Sequence, residues 1–321
     1  MRNKTILITG GSGFIGANLT RTLIQNNTVH LIVRPQSALW RLDGITKKCM
    51  IHRNDLLNLD SLNKLIDSIK PEIIYHLASF GNYEFHTDVQ KIVLTNTMGT
   101  TNLLLALKDH PFTCFVNTGT SSEYGFKNHP MSEDDFLEPY SFYAASKAAS
   151  SYFSRVYAIQ YQKPVVTIRP FSVYGPYEEP RRLIPTIITQ ILTNHSIRLT
   201  PQTTRRDFIH IEDVVDFYIK LPSSMKQIPP GTIFNLGTGK QTSNIQVVKM
   251  IEKLLNLKAT STLNHFPNRS WDTKYWVANM DNVQETLHWK ATIDCLEGLI
   301  KTIEWFKSYK DFDSNYVKKI D

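Results

Sequence analysis

Short apolar runs alternate with longer amphipathic stretches through the first half of the chain. Thr5 to Thr9, Val29 to Val33, Glu72 to Leu77, Phe112 to Asn117 and Val165 to Ile168 are rich in aliphatic and β-branched residues, the pattern of strands buried on both faces. Segments with helical spacing fall between them, and a further strand is expected before Asn54. Such alternation predicts right-handed crossovers and an α/β, doubly wound parallel sheet whose ligands gather at the carboxyl ends of the strands. After Arg169 the rhythm breaks, with Pro170, Gly175, Pro176, Pro180 and Pro185 interrupting the chain. Asp207 to Ile211 again reads as a strand and Glu212 to Ile219 as a helix, which predicts a return to the main sheet. The expected division is a main domain of residues 1–170 with a return segment at about 207–236, and a smaller lobe built from about 171–206 and 237–321.

The first strand runs into Gly10-Gly11-Ser12-Gly13-Phe14-Ile15-Gly16 and then an amphipathic helix. In that setting glycines let the backbone turn tightly against a pyrophosphate, and the helix start offers free amides and a partial positive charge. The sheet is therefore expected to be of the Rossmann type, with Gly10, Gly13, Phe14, Ile15 and Gly16 at a dinucleotide. An NAD site normally carries an acid about 20 residues on, at the end of the second strand. Here the residues are Val33-Arg34-Pro35. A guanidinium at Arg34 suits the extra phosphate of NADP, so NADP is the expected cofactor and NAD the alternative; a solvated surface arginine is the plainer reading. Asp55, followed by Leu56, reads either as an adenine contact or as the cap of the next helix.

Composition narrows the class. With 321 residues, 41% hydrophobic and 20% charged, the chain can bury a sizeable core and is too apolar for extended disorder. The formal charge of +7 suits a phosphorylated substrate, but the basic residues are scattered, with no basic groove interleaved with stacking aromatics; no nucleic-acid partner is expected. Cys49, Cys114 and Cys295 are odd in number and widely spaced, so reduced thiols are expected and neither a disulfide framework nor a metal site. The opening residues carry no signal-peptide pattern, and no stretch reaches the roughly 18 apolar residues of a membrane span. A cytoplasmic protein without membrane attachment is the expectation.

Tyr143 and Lys147 stand four apart near the start of a helical segment, which puts phenol and ammonium on one face. A free tyrosine ionises near pH 10; a neighbouring ammonium and a cationic nicotinamide bring it closer to neutrality. Thr120, in the hydroxyl-rich turn after the fifth strand, is the expected partner of Tyr143, holding a sugar oxygen beside the phenol; backbone capping is the plainer role for that turn.

The glycine turn, Tyr143-x-x-x-Lys147 and Arg169-Pro170-Phe171-Ser172-Val173-Tyr174-Gly175-Pro176 together resemble the extended short-chain dehydrogenase/reductases that act on nucleotide sugars, over nearly the whole chain. His76-Leu77-Ala78, Thr95-Asn96-Thr97 and Arg206-Asp207-Phe208-Ile209-His210 add to the resemblance. It implies a smaller C-terminal substrate-binding lobe and a nucleotide-diphosphate sugar as substrate. It also implies cofactor contacts from Leu77, Ala78, Asn96 and Pro170, with Tyr143 and Lys147 at the nicotinamide ribose. Arg206 and Arg269 would hold the diphosphate, unless they are structural ion-pair partners. Trp271 and Trp276 either belong to the late substrate loop or pack the lobe. Ser172 stands where many relatives have asparagine. The resemblance further implies a homodimer through Val89 to Leu107 and Tyr143 to Tyr161, unless their apolar residues face the sheet instead.

Members that eliminate water carry acids directly after the threonine, where this chain has Ser121 and Ser122, here expected at the substrate. Glu123 is offset by one, and on an extended segment its side chain would point to the opposite face. A 4,6-dehydratase is therefore not expected, nor is a catalytically silent nucleotide-binding protein, given the complete Thr120, Tyr143 and Lys147 set. Two reactions at C4 remain: reduction of a 4-keto-6-deoxy sugar nucleotide, and 4-epimerisation. Arg34 and its NADP reading tip the expectation to reduction, with the epimerase as alternative.

Overall fold

The computed structural model describes residues 1–318 apart from Glu84, Ser196, 199–203, 258–260, 263–272 and Lys274, with backbone alone at 197–198 and 261–262. Its frame is a seven-stranded sheet. Strands β1 (Thr5–Thr9), β2 (Thr28–Val33), β3 (Met50–Arg53), β4 (Ile73–His76), β5 (Cys114–Thr118) and β6 (Val165–Pro170) are joined by the strand Ile233–Leu236. Their spatial order is Ile233–Leu236, β6, β5, β4, β1, β2, β3, and every neighbouring pair is parallel. β2 and β4 flank β1, so successive crossovers depart in opposite directions from the centre, the reversal that opens a crevice at the strands' carboxyl ends.

Both faces are covered, as the continuous apolar runs require. Ile6, Ile8, Leu31, Tyr75 and Val116 face one hydrophobic cluster, and Leu7, Ile32, Ile74 and Phe115 face the other. Helices α1 (Phe14–Leu23), α2 (Leu59–Ile69), α3 (Val89–Val93), α4 (Gly99–Ala106) and α5 (Phe142–Tyr161) fill the crossovers. Between α3 and α4 the Leu94–Met98 segment widens into a π-helical turn, interrupting the single helix anticipated over Val89 to Leu107. That turn carries Asn96, whose fully buried side chain donates to the Phe80 carbonyl and Ser146 Oγ and accepts the Phe80 amide at 2.8 Å. Such bulges often sit beside functional sites.

Beyond β6 the strand β7 (Ser172–Tyr174) pairs in parallel with Phe208–His210 in a separate two-stranded ribbon. This differs from the expectation that the segment from Asp207 to Ile211 rejoins the main sheet. Phe208–His210 lies past the carboxyl end of β6; the chain first crosses through α7 (Ile211–Ser224), and Ile233–Leu236 takes the place beside β6. A third cluster forms around Tyr174, α6 (Leu183–Leu192), α8 (Asn244–Leu255) and α10 (Cys295–Ser308), with α9 (Asp281–Leu287) between the last two. Among the described residues no helix is long and apolar enough to cross a membrane.

Asp207 ties these elements together. Its fully buried carboxylate accepts the Thr238 amide at 2.9 Å, the Thr238 hydroxyl at 2.6 Å, the Gly239 amide at 3.0 Å and the Ala278 amide at 3.2 Å. Asp207→Ala strands several of these donors, and each buried unsatisfied group costs about 1–3 kcal/mol. The variant is expected to lose about 3 kcal/mol or more in urea unfolding; a loss below about 1 kcal/mol would show that water replaces the carboxylate.

Candidate active site

A large cleft of about 1630 Å³ runs across the carboxyl ends of the strands. It exceeds the roughly 300–1,000 Å³ that suits one drug-sized ligand, so it has room for two extended molecules side by side. Its floor is the β1 turn. Gly10 has φ +72°, and a Cβ there would stand 2.7 Å from the Ala78 amide nitrogen. Only a glycine allows the ends of β1 and β4 to come this close. α1 follows at once, with Gly13 before it, no side-chain cap and no acid in its first turn, so its amides and partial positive charge stay available for an anion. Behind the turn, fully buried His76 meets the hydroxyls of Thr9 at 2.6 Å and Thr100 at 2.8 Å. Burial drives its pKa down to about 3, with the Lys147 charge in the same direction, so the imidazole is neutral and adds no cation of its own.

Gly10, Gly13, Phe14, Ile15, Gly16, Arg34, Asp55, Leu56, Leu77, Ala78 and Pro170 all line the cleft. Asn96 does not; it acts on the wall from behind, fixing the backbone of Phe80. Asp55 accepts the Leu57 amide at 3.0 Å, while Asn58 caps α2 by accepting the Ser61 amide, so Asp55 is not the helix cap. Arg34 is exposed at the end of β2, its guanidinium 5.9 Å from the Phe80 ring. The glycine turn, the free helix start and this length of cleft fit a dinucleotide.

Thr120, Ser121, Ser122, Tyr143 and Lys147 meet at the middle of the cleft. Ser141 caps α5 by accepting the Ala144 amide, which starts the helix one residue before Tyr143. The Thr120 hydroxyl accepts the Ser122 amide at 3.2 Å, capping the turn, and its side chain favours ionisation of the Tyr143 phenol. Desolvation pushes that phenol up to about 12, against the Arg182 charge that lowers it. Lys147 is 2% exposed; burial brings its ammonium down to about 8, opposed by the Glu123 carboxylate. The phenol is therefore a proton donor as it stands, and its ionisation requires added positive charge beside it.

The 121–124 segment is a 3-10 turn, not an extended strand, so the alternation argument for Glu123 rests on the wrong local geometry. The side chain nevertheless turns away from the cleft: one oxygen accepts the Thr120 amide at 2.8 Å and the other pairs with Arg169 Nε at 2.8 Å. On the opposite wall Arg206 lies 5.1 Å over the Trp276 ring, and the Trp276 indole donates to Ser121 Oγ at 3.1 Å. Trp276 thereby couples two expected substrate residues. Ser172 also lines the cleft, whereas Arg269 and Trp271 lie outside the described residues. Sequence reading missed Tyr83, Glu178 and Arg182, which line the same cavity; Arg182 sits 5.1 Å over the Tyr83 ring. They come from irregular loops with no periodicity to mark them. Among the described residues, no three His, Cys, Asp or Glu side chains gather in a metal-binding group.

The sequence matches the family model described as "NAD dependent epimerase/dehydratase family" over residues 6–237. It is 27% identical to a dTDP-D-glucose 4,6-dehydratase of Bos taurus, covering 95% of this chain and 89% of the relative. It is 29% identical to a UDP-glucuronate 4-epimerase of Thermodesulfobacterium geofontis, covering 94% and 95%. Among solved structures, UDP-glucuronic acid 4-epimerase from Bacillus cereus in complex with UDP-glucuronic acid and NAD superposes with a TM-score of 0.84 at 29% identity, over 94% of this chain and 98% of that one.

Gly10→Ala places a methyl against the Ala78 backbone at a positive φ. The expected result is at least a tenfold weaker Kd for NADH by fluorescence titration, with a native circular dichroism spectrum. Unchanged affinity would mean that the dinucleotide does not use this turn.

Proposed function

This chain belongs to the NAD dependent epimerase/dehydratase family, and from that premise we propose that it is a nucleotide-sugar 4-epimerase that retains NAD. The observation that carries the reading is the convergence of Thr120, Tyr143 and Lys147 on one cleft in which Ser121 and Ser122 follow the threonine and the nearby Glu123 is locked to Arg169. Base chemistry at a C4 hydroxyl has its residues; acid-assisted loss of water does not. The relatives named as 4-epimerases support the choice, and the dehydratase relatives share the fold and the oxidation at C4 that both reactions need.

The glycine turn and the start of α1 would hold the pyrophosphate, Asp55 and Leu56 the adenosine end, and Leu77, Ala78 and Pro170 the nicotinamide end. When bound, NAD supplies a hydride acceptor and donor for C4. Thr120 holds the C4 oxygen, Tyr143 removes the hydroxyl proton as C4 becomes a carbonyl and returns it afterwards, and Lys147 stabilises the phenolate between those events. Arg206, Ser121, Ser122, Ser172 and Arg269 would keep the nucleotide diphosphate fixed while the sugar turns over within the wide cleft. The UDP- and dTDP-sugars named for the relatives support a nucleotide-diphosphate sugar as the substrate class, and with it a cofactor domain and a C-terminal sugar-nucleotide lobe. We place the enzyme in the cytoplasm, with its substrates.

One observation favours a second reading. Arg34 lines the cleft where a carboxylate would select NAD, and a guanidinium there suits NADPH and net reduction of a 4-keto sugar. The two separate cleanly: the epimerase interconverts UDP- or dTDP-hexoses without consuming added cofactor, while the reductase oxidises NADPH stoichiometrically with a 4-keto sugar nucleotide.

Tyr143→Phe is expected to lower kcat about 10²–10⁴-fold with NADH affinity retained; undiminished turnover would remove Tyr143 from the mechanism. Lys147 is charged below about pH 8 and neutral above it, so kcat should fall on the alkaline side of about 8. A profile flat through pH 9 would contradict the role of the ammonium.

The enzyme is also proposed to work as a homodimer. Val89, Val93, Met98 and Leu105 on the α3–α4 segment, and Tyr152, Phe153, Val156 and Ile159 on α5, are large, apolar and exposed on adjoining helices. Val156→Asp should convert a dimer to a monomer in sedimentation analysis; a monomeric parent protein would overturn this assembly.

A further inference from the structure

Three charges are sealed beneath the catalytic turn. Glu123 is fully buried, Arg169 is 1% exposed and Lys147 2%. The helix that carries Lys147 packs on the turn that carries Glu123, so two buried cations lie about one buried anion, which pairs directly with Arg169. The carboxylate is held in place from several sides: by the Thr120 amide, by Arg169 Nε, and by the bare Gly119, where a Cβ would stand only 2.4 Å from Glu123 Oε1. Arg169 lies 4.7 Å over the Tyr124 ring, and its Nη1 has no hydrogen-bond partner, so the guanidinium is itself incompletely compensated.

We propose that Glu123 is a positioning residue: its buried carboxylate, anchored by Arg169, keeps Lys147 protonated and sets the Thr120 backbone against Tyr143. It does not line the cleft and acts through Lys147 and Thr120. The inference rests on the Tyr143–Lys147 chemistry proposed above and deepens it.

The physical argument is one of charge. A guanidinium in a protein does not give up its proton, whereas a buried lysine does so readily. If the shared anion is lost, Lys147 is the cation that yields. The charged and titratable groups facing the pair are few. Glu123 and neutral His76 face Lys147, while Arg182, Glu123 and Tyr83 face Tyr143. The carboxylate is the only anion among them, and its effect on Lys147 is to raise the pKa against burial. Removing it leaves Tyr143 next to a neutral amine over part of the physiological range, and the phenolate loses its stabilising charge.

The test compares the full chain with Glu123→Gln and with Arg169→Met. Lysine Cε is labelled with ¹³C, and the Lys147 signal is identified by its absence in Lys147→Met. In the parent protein Lys147 should titrate near 8. Glu123→Gln should lower that value by about 1–2 units, the usual effect of one adjacent opposite charge. Arg169→Met should raise it, because the carboxylate is then left to Lys147 alone. The alkaline limb of kcat should follow the same two directions, with KM for the sugar nucleotide changed less than about threefold.

A merely structural ion pair would lower kcat in both variants without moving either titration, and that result overturns the proposal. If Glu123→Gln fails to fold, the upward shift in Arg169→Met decides, and an unmoved Lys147 there also overturns it. The NMR titration needs no turnover. If the parent protein converts no sugar nucleotide yet both shifts occur, the reaction assigned above fails while the coupling stands.

Discussion

The structure depends on the reversal of strand order about β1. Because β2 and β4 lie on opposite sides of it, the crossover helices leave the carboxyl edge uncovered at that point, and the glycine turn after β1, the hydroxyl-rich turn after β5 and the start of α5 all line the cleft there. The close approach of Gly10 to Ala78 is the local condition for this arrangement. A side chain at Gly10 would push β1 and β4 apart and tilt the start of α1, whose amides no side chain caps.

Above that frame the site is governed by the cost of burying charge. His76 is kept neutral by burial and by the Lys147 charge, which spares the sheet edge a cation. Lys147 remains charged although almost wholly enclosed, and Tyr143 above it resists ionisation. The pair is therefore poised rather than active: a phenol that gives up its proton only when positive charge is added nearby. Under the proposed reaction, substrate turnover and cofactor occupancy would be linked by that requirement, since a bound oxidised nicotinamide would supply the added positive charge.

Much of this was legible in the sequence because it is local. Apolar runs marked five main-sheet strands to within two residues at their ends, and the glycine turn and the Tyr143–Lys147 spacing each lie within a single strand–turn–helix or helix segment. What was not legible comes from pairing over distance. Glu123 and Arg169 are 46 positions apart, and Trp276 reaches Ser121 across 155. The Phe208–His210 strand has the composition of a sheet strand, but its neighbour is decided by α7 and the later arrival of Ile233–Leu236. Asn96 was read by resemblance as part of the cofactor site; its π-helical turn and its bonds to the Phe80 backbone, which shape the cleft wall, have no signal in the sequence. Glu123 was read as facing away by strand alternation, and a 3-10 turn with a buried arginine produces the same direction by another cause.

The central claim is that oxidation and re-reduction of one carbon occur in a single closed cleft on a retained dinucleotide. The most direct measurement uses a UDP-hexose carrying deuterium at C4, incubated with the enzyme and an excess of unlabelled NADH and NADPH. The account predicts that the C4 epimer forms with its deuterium still at C4. Epimer that has lost the label to the free cofactor pool, or consumption of NADPH with a 4-keto sugar in place of any epimer, would contradict it.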